Sequence, residues 1–283
     1  MNRRRTVLLV VLALVGCSCG AKDIDRQKTR KDFRTRAYKM QREYSDEDTI
    51  AEIRFGRALA ARVLGMYKLF ADEKSNRYLR NVGTGLAAQM GRADLRFHFA
   101  ILDTAEINAY ALPGGYIFVT RGALALMENE AQLTAVLAHE IAHINQRHIV
   151  KKLNIKGEDN RFLASISAVT GGSLVYGAQL VDKLVTQAID ALFDSGLDKQ
   201  FETSADAEAI QIQIVLGYDW HAYTEFLTKC NHKKYAKNRV INSKTHPPLQ
   251  NRIEIIRLAV QREGMTSLNG KKHKNRFNEN IRL

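Results

Sequence analysis

The chain has 283 residues, of which 45% are hydrophobic and 26% are charged, and its formal net charge is +13 at pH 7. This composition is that of a globular protein and excludes disorder over most of the length, while only three prolines and 18 glycines favour long helices over a sandwich of short strands. The basic excess suits anionic lipid head groups or plain solvated faces, and without a helix-turn-helix, zinc-finger or RNA-binding signature it predicts no nucleic-acid partner.

The first 16 residues resemble a bacterial export signal. Three arginines at 3–5 precede an apolar run over 6–15, which is too short to span a bilayer. The following Leu-Val-Gly-Cys ends at Cys17 and resembles the lipobox at which a lipoprotein is cleaved and acylated. An ordinary signal peptide with a coincidental cysteine is the alternative. We expect residues 1–16 to be a lipoprotein signal peptide and Cys17 to be lipidated.

A charged segment follows the predicted lipid anchor. Residues 17–48 predict a tether between the lipid bilayer and the rest of the chain. Ser18, rather than Asp, follows Cys17, which by resemblance to lipoproteins of two-membrane bacteria favours the periplasmic face of the outer membrane. Cys19 and Cys230 complete the cysteine set. An oxidising compartment would permit a disulfide between them, and a free thiol at Cys19 beside the anchor is the alternative.

The rest of the pattern predicts one domain over 49–263 and a basic polar tail over 264–283 that we expect to be frayed. A partly alternating run predicts a strand over 95–102, and 108–120 predicts a hairpin around a Pro-Gly-Gly turn at 113–115. Apolar residues at helical spacing predict helices over 46–65, 74–90, 130–153, 199–216, 219–229 and 249–262. The predicted fold class is α+β, mainly helical with a small β-sheet.

The segment 162–181 carries no charged residue over twenty positions. Its length permits a membrane span, but its glycines, serines and Gln179 make it weakly apolar. From there to Phe193 the apolar residues form a broad helical face. We interpret the region as a helical pair, interrupted at Gly171 and Gly172, that packs on the core or covers a functional site, with a transmembrane helix as the alternative.

The most informative motif is His-Glu-Ile-Ala-His, which begins at His139. Its helix has a start signal, because Asn129 can act as N-cap with Gln132 as its capping-box partner. His139 and His143 lie one turn apart on one helical face, so both imidazoles can reach one tetrahedral zinc ion. Glu140 lies about 100° further around the helix, where it can take a proton from a water molecule that attacks a carbonyl.

A zinc ion in such a site needs a third protein ligand. One solution would place glycine at 146 and histidine at 149, but those positions hold Gln146 and Ile149. The other solution is a glutamate on a later helix, which Glu202 supplies. Asp206 lies four residues further on the same face and is expected to hold a zinc-ligating histidine by a hydrogen bond.

The chain resembles the HtpX-like and CAAX-prenyl-protease-like zinc metalloendopeptidases of the gluzincin group. The resemblance covers about residues 51–257, and its four motifs are very specific together because they occur in compatible order and spacing. They lie at 108–122, at 129–143, at Glu202-x-x-x-Asp206, and at Thr245-His246-Pro247-Pro248.

The resemblance implies a mainly helical zincin domain with a small β-sheet beside the active-site helix. It implies one Zn²⁺ per chain held by His139, His143 and Glu202, with Glu140 as the general base. The predicted function is a zinc-dependent metalloendopeptidase of the bacterial cell envelope that cleaves misfolded or misassembled envelope proteins. The alternatives are a chaperone or assembly factor that uses the same fold and a hydrolase of non-peptide substrates. The intact Glu140 favours an enzyme.

Two further residues are candidates for the site. Asn108 begins the predicted hairpin strand, which is our candidate edge strand for binding a substrate backbone; a purely structural role in the hairpin is the alternative. His246 precedes Pro247 and Pro248, which stiffen the segment. It is predicted either to stabilise the oxyanion or to occupy the open position of the metal and inhibit the enzyme, and a surface or helix-capping histidine is the third interpretation.

Overall fold

A computed structural model describes residues 31, 35, 43–156, 175–231, 248–262, 266 and 269–283, with the backbone alone for 175–180. The predictions for the signal peptide, Cys17, Cys19 and His246 lie outside these residues. So do nearly all of the predicted tether and the greater part of 162–181.

Within the described ranges the chain forms ten α-helices and three β-strands. The helices are α1 (Asp46–Met66), α2 (Glu73–Met90), α3 (Arg121–Leu126), α4 (Glu130–Asn145), α5 (His148–Lys152), α6 (Val175–Ile189), α7 (Lys199–Val215), α8 (His221–Asn231), α9 (Leu249–Arg262) and α10 (Lys274–Asn280). The strands are β1 (His98–Leu102), β2 (Ala109–Leu112) and β3 (Tyr116–Thr120). This content confirms the predicted mainly helical α+β class.

The three strands form one sheet in the order β1-β3-β2. Strand β1 runs parallel to β3. Strand β2 runs antiparallel to β3, and the two are the arms of the predicted hairpin. The turn between β2 and β3 is Pro113–Gly115, where Gly114 has φ 75° and Gly115 has φ 93°. Both values lie in the region that only glycine adopts without strain, which explains this turn sequence. Strand β2 is therefore an edge of the sheet.

Helix α4 is the centre of the molecule. All sixteen of its residues are buried, although the sequence pattern led us to expect only an apolar stripe. The helix is enclosed because α2, α7, α8 and β2 all pack against it. Its N-terminus confirms half of the predicted capping box: Asn129 Oδ1 accepts the Gln132 N–H at 3.0 Å, but Gln132 Oε1 accepts from the N–H of Glu128 at 2.8 Å.

The predicted helix over 130–153 is wrong in one respect, because it breaks after Asn145. Arg147 has φ 56° and ψ 40°, a left-handed conformation that is uncommon outside glycine. The Arg147 guanidinium lies 3.3 Å from a carboxylate oxygen of Glu52 and donates to the Thr49 hydroxyl at 3.0 Å. These contacts with α1 hold the break, and α5 begins at His148.

Helix α6 packs on the core. Val181, Val185 and Ala188 share a buried cluster with Phe55 and Leu59 of α1. A π-helical turn over Asp190–Asp194 follows α6 and leads towards α7. Among the helices described here, none combines the length and the apolar character that a membrane crossing needs.

The C-terminal residues 269–283 are not frayed, contrary to our expectation. Phe277 of α10 is 3% exposed and its ring meets that of Tyr78 at a centroid distance of 6.4 Å. Arg276 donates to the buried carboxylate of Glu130 at the start of α4. The sequence suggested a solvated tail because most residues of this segment are polar. The composition does not reveal that one aromatic ring is buried and that one arginine forms an ion pair.

Candidate metal centre

Helices α4 and α7 bring three metal-binding side chains together. The Nε2 atoms of His139 and His143 are 3.0 Å apart. Glu202 of α7 places one carboxylate oxygen 3.6 Å from His139 Nε2 and the other 3.4 Å from His143 Nε2. Ligands bound to zinc at about 2.0–2.1 Å in a tetrahedral arrangement lie about 3.3 Å from one another. The two imidazoles and the carboxylate are therefore spaced as three ligands of one zinc ion, and all three are buried.

His139 is held by a carboxylate. Its Nδ1 lies 3.0 Å from Asp206 Oδ1, and since an ionised carboxylate only accepts, the Nδ1–H donates to it. When the ring is neutral, as a metal ligand must be, Nε2 therefore keeps the lone pair. Burial and the Arg252 charge lower the pKa of His139, but hydrogen bonds with Asp206 and Glu202 outweigh them and raise it to about 9 in the metal-free protein. Asp206 thus orients the imidazole, as its spacing predicts.

Asp206 is itself part of a buried charged network. Arg252 of α9 donates to both its carboxylate oxygens, at 2.9 and 2.7 Å. Tyr223 of α8 donates to Asp206 at 2.8 Å and accepts from Arg252 at 2.7 Å. Burial raises the pKa of the Asp206 carboxyl, but the Arg252 charge and His139 outweigh it and hold that pKa well below its usual range. The network joins four helices behind one histidine.

His143 is held by a second imidazole. Its Nδ1 lies 2.8 Å from Nδ1 of His148, the first residue of α5. Burial and the charge of Lys151 lower the pKa of His148 to about 3, so its ring is neutral. His148 stacks on Phe201 of α7 with ring centroids 4.4 Å apart and an interplanar angle of 11°.

Glu140 stands between two pockets that flank the histidine pair. One is a cavity of about 70 Å³ whose lining includes Asn108, Ala109, His139 and Glu140, and the remainder of its wall is mostly apolar, including Phe226 and Leu227. The other, of about 20 Å³, is lined by Ala109, Ala111, Glu140 and His143, with Leu192 and Glu202. Glu140 is 7% exposed. Ala109 of β2 also lines both pockets, so the two pockets lie beside this strand with Glu140 between them.

The edge strand β2 has main-chain groups on the side that faces away from β3. The Thr120 N–H donates to the Asn108 carbonyl at 3.1 Å, and the Asn108 N–H donates to the Thr120 hydroxyl at 3.0 Å. Since hydrogen-bonded and non-hydrogen-bonded pairs alternate along an antiparallel ladder, the main-chain groups of Ala109 and Ala111 point away from β3. The Asn108 side chain accepts the Ala109 N–H at 2.9 Å.

The structure brings together all the predicted site residues that it describes: His139, Glu140, His143, Glu202, Asp206 and Asn108. Sequence reasoning missed Arg252, Tyr223 and His148. Arg252 had a signal, because it lies within the helical spacing of the buried Ile253 and Ile256 and is therefore a charge on an apolar face. Tyr223 carried no comparable signal in the sequence. The contact of His148 with His143 could not be foreseen, because the predicted helix was continuous through both residues.

Comparisons with known proteins agree with this geometry. The chain is 28% identical over 213 residues to the beta-barrel assembly-enhancing protease of Escherichia coli (strain K12), which covers 71% of this chain and 42% of that protein. It is 27% identical over 180 residues to the mitochondrial metalloendopeptidase OMA1 of Schizosaccharomyces pombe, which covers 63% of this chain and 51% of that protein. The chain thus spans about half of the length of these relatives or less. A model of peptidase family M48 matches residues 73–260, more than half of the chain, and the chain belongs to that family, which confirms the predicted resemblance.

Proposed function

We propose that the chain is a zinc-dependent metalloendopeptidase that holds one Zn²⁺ through His139, His143 and Glu202. Family M48 implies a metal ion. The observation that carries the proposal is the meeting of two imidazole nitrogens and a carboxylate at mutual distances of 3.0–3.6 Å. Zinc bound there would polarise the scissile carbonyl and make the attacking water more acidic.

Glu140 is the proposed general base. It lies one residue after His139, is buried, and lines both pockets beside the metal-binding side chains. From this position its carboxylate takes the proton of the attacking water and transfers it to the leaving amine. The low-dielectric surroundings favour this transfer because bulk water does not compete for the carboxylate.

A substrate peptide is proposed to bind as an added strand along β2. The outward carbonyl of Ala109 and the outward main-chain groups of Ala111 offer sequence-independent hydrogen bonds. The apolar cavity beside His139 suits an aliphatic or aromatic side chain next to the scissile bond. Asn108 would hold the start of the strand in place through the Ala109 N–H. Asn108→Ala should raise KM while zinc content stays constant; a lower melting temperature with unchanged KM would assign Asn108 to the fold alone.

The decisive experiment on the function replaces the proposed base. Glu140→Gln should bind zinc as the wild type does and lose nearly all cleavage of casein, because an amide cannot accept the proton. His143→Ala should instead lose the metal itself. A chelator should abolish wild-type cleavage and added zinc should restore it. Wild-type rates in Glu140→Gln would refute the mechanism.

The biological role is proposed from the relatives. The name of the Escherichia coli relative includes the assembly of β-barrels, and we propose that this chain cleaves misfolded or misassembled envelope proteins. The alternative is a chaperone or assembly factor without proteolysis. Retention of Glu140 between the two pockets favours the enzyme, since a binding protein does not need a base there. Complementation by Glu140→Gln of a strain that lacks the protein would favour the alternative.

Lipidation of Cys17 is proposed to anchor the enzyme in the cell envelope, at the periplasmic face of the outer membrane in a two-membrane source. The support is the positive segment, the short apolar run and the lipobox-like sequence. The mature protein should begin at Cys17 and carry acyl chains, and Cys17→Ser should abolish that modification. A mature N-terminus without acyl chains would contradict the proposal, as measured by mass spectrometry.

His246 is proposed to face the metal centre. Its support is proximity along the chain: Arg252, six residues later, contacts Asp206. Two roles have opposite consequences. If His246 stabilises the oxyanion, His246→Ala should lower kcat with zinc retained; if it occupies the open metal position, the same variant should be more active and cleave itself. Unchanged kcat/KM and metal affinity would leave His246 a surface residue.

A further inference from the structure

His148 is a buried histidine that the proposed mechanism does not use. It is 2% exposed, and both of its ring nitrogens have partners. Nδ1 faces His143 Nδ1 at 2.8 Å, while Nε2 lies 3.2 Å from Gln146 Oε1 and 3.3 Å from Ser204 Oγ. Phe201 covers one face of the ring. Such complete enclosure fixes the orientation of the imidazole.

The partners of Nε2 show where its proton lies. The Gln146 amide nitrogen donates to Glu208 at 2.7 Å, which directs the amide oxygen towards His148. The Ser204 hydroxyl donates to the Phe201 carbonyl at 2.9 Å, so its oxygen can only accept from His148. Both partners are therefore acceptors, so Nε2 carries a proton, and the hydrogen bond between the two Nδ1 atoms needs one donor and one acceptor.

This assignment determines the tautomer of His143. With its own proton on Nε2, His148 has a bare Nδ1 that accepts a hydrogen bond. His143 must then donate from Nδ1, which leaves a lone pair on its Nε2 atom. That atom is the one that lies 3.0 Å from His139 Nε2 and 3.4 Å from Glu202. The proton arrangement thus prepares His143 to bind a cation.

The helix break is what allows the two rings to meet. In a continuous α-helix residues five positions apart lie about 140° apart around the axis, so His148 would point away from His143. The left-handed Arg147 turns the chain between them. A non-glycine residue in this conformation is strained, and strain that the surroundings maintain points to a functional requirement. Here Glu52 and Thr49 maintain it.

We infer that His148 is a positioning residue that holds His143 with Nε2 directed at the metal and thereby strengthens metal binding. The inference rests on the metal site of the proposed function. It assigns to the imidazole of His148 the task that a carboxylate performs for His139, where Asp206 accepts from Nδ1 at 3.0 Å.

The test is zinc affinity, measured on the purified full chain by competition with a chromophoric chelator. His148→Leu keeps an apolar volume beside Phe201 but removes the acceptor, and zinc binding should weaken about 10- to 100-fold. His148→Asn should restore most of the affinity, since its Oδ1 can take the place of Nδ1. With Co²⁺ in place of zinc, the visible absorption bands should change in His148→Leu and return in His148→Asn.

Ile149→Ala is the matched control, because Ile149 is buried next to His148 on α5 and belongs to the apolar cluster that contains Phe55 and Leu59 of α1. It should lower the melting temperature and leave zinc affinity and the Co²⁺ spectrum unchanged. Wild-type zinc affinity in His148→Leu would overturn the inference. So would equal losses of affinity in His148→Leu, His148→Asn and Ile149→Ala, because packing alone would then explain them. A wild-type chain that binds no zinc would instead refute the metal site itself.

Discussion

The two histidines of the metal centre are held in chemically different ways. His139 donates to Asp206, which forms a buried ion pair with Arg252 and a hydrogen bond with Tyr223. His143 faces the neutral ring of His148, whose other partners are an amide and a hydroxyl. The charged side of the centre, around His139, joins α4 to α7, α8 and α9 through charged groups. The neutral side, around His143, depends on a helix break and on hydrogen bonds between uncharged groups.

The difference follows from the charge that the centre must accommodate. Counted at their formal charges, a divalent cation, the Arg252 guanidinium and the carboxylates of Glu140, Glu202 and Asp206 add up to zero. A second orienting carboxylate behind His143 would add an uncompensated buried negative charge, which is costly. A neutral imidazole orients His143 without that cost. We expect from this comparison that the charged side around His139 stabilises the fold, whereas the neutral side around His143 acts mainly on metal binding.

The largest expected effect is on the charged side. Asp206→Ala leaves the buried Arg252 guanidinium without its carboxylate, and we expect a loss of about 3–5 kcal/mol in the free energy of unfolding. The double variant Asp206→Leu with Arg252→Leu should recover much of this loss while zinc affinity stays low. Urea denaturation measures the free energy of unfolding of the single and of the double variant. If Asp206→Ala and His148→Leu cost equal stability, the proposed division between the two sides is wrong.

A second prediction concerns the pH dependence of the metal-free protein. The pKa of His139 is raised from 6.5 to about 9 in the folded state, so its contribution to stability is complete below pH 6.5 and is lost as the pH rises through 9. The melting temperature of chelator-treated protein should therefore fall between pH 6.5 and 9. His148→Leu should show the same fall, because His148 is neutral throughout this range, with its pKa near 3. Asp206→Asn should abolish this fall in melting temperature. If the fall persists in that variant, groups other than His139 cause it.

The smallest expected effect isolates the helix break on the neutral side. Arg147→Gly and Arg147→Ala both remove the ion pair with Glu52, but only glycine adopts φ 56° without strain. The glycine variant should be about 1 kcal/mol more stable than the alanine variant. Denaturant titration of the two proteins gives this difference directly. Equal stabilities, or a more stable alanine variant, would contradict the left-handed backbone at 147.

Sequence reasoning succeeded where short-range rules decide. The helix predicted over 249–262 matches α9, and Pro113-Gly114-Gly115 forms the predicted turn. The i, i+4 spacing places His139 and His143 on one face of the helix, since helix geometry alone determines which residues share a face.

It failed where distant residues decide. The break after Asn145 depends on Glu52, nearly a hundred residues earlier, and no glycine marks it. The docking of α10 depends on Glu130 accepting from Arg276. His148 could not be linked to His143 without the break, and Tyr223 was no more conspicuous than any other tyrosine. Contacts between separate elements carry no periodic signature in the sequence.

The central claim is that one zinc ion binds to two imidazoles and one carboxylate, and X-ray absorption at the zinc edge tests it most directly. The purified chain with one bound zinc should show imidazole nitrogens at about 2.0–2.1 Å, two of them or three if His246 occupies the open position, and carboxylate oxygen at a similar distance, without sulfur. His143→Ala should lose one imidazole or the metal. A sulfur ligand at about 2.3 Å would assign the zinc to a cysteine such as Cys230, which lines the neighbouring cavity, and would contradict the account.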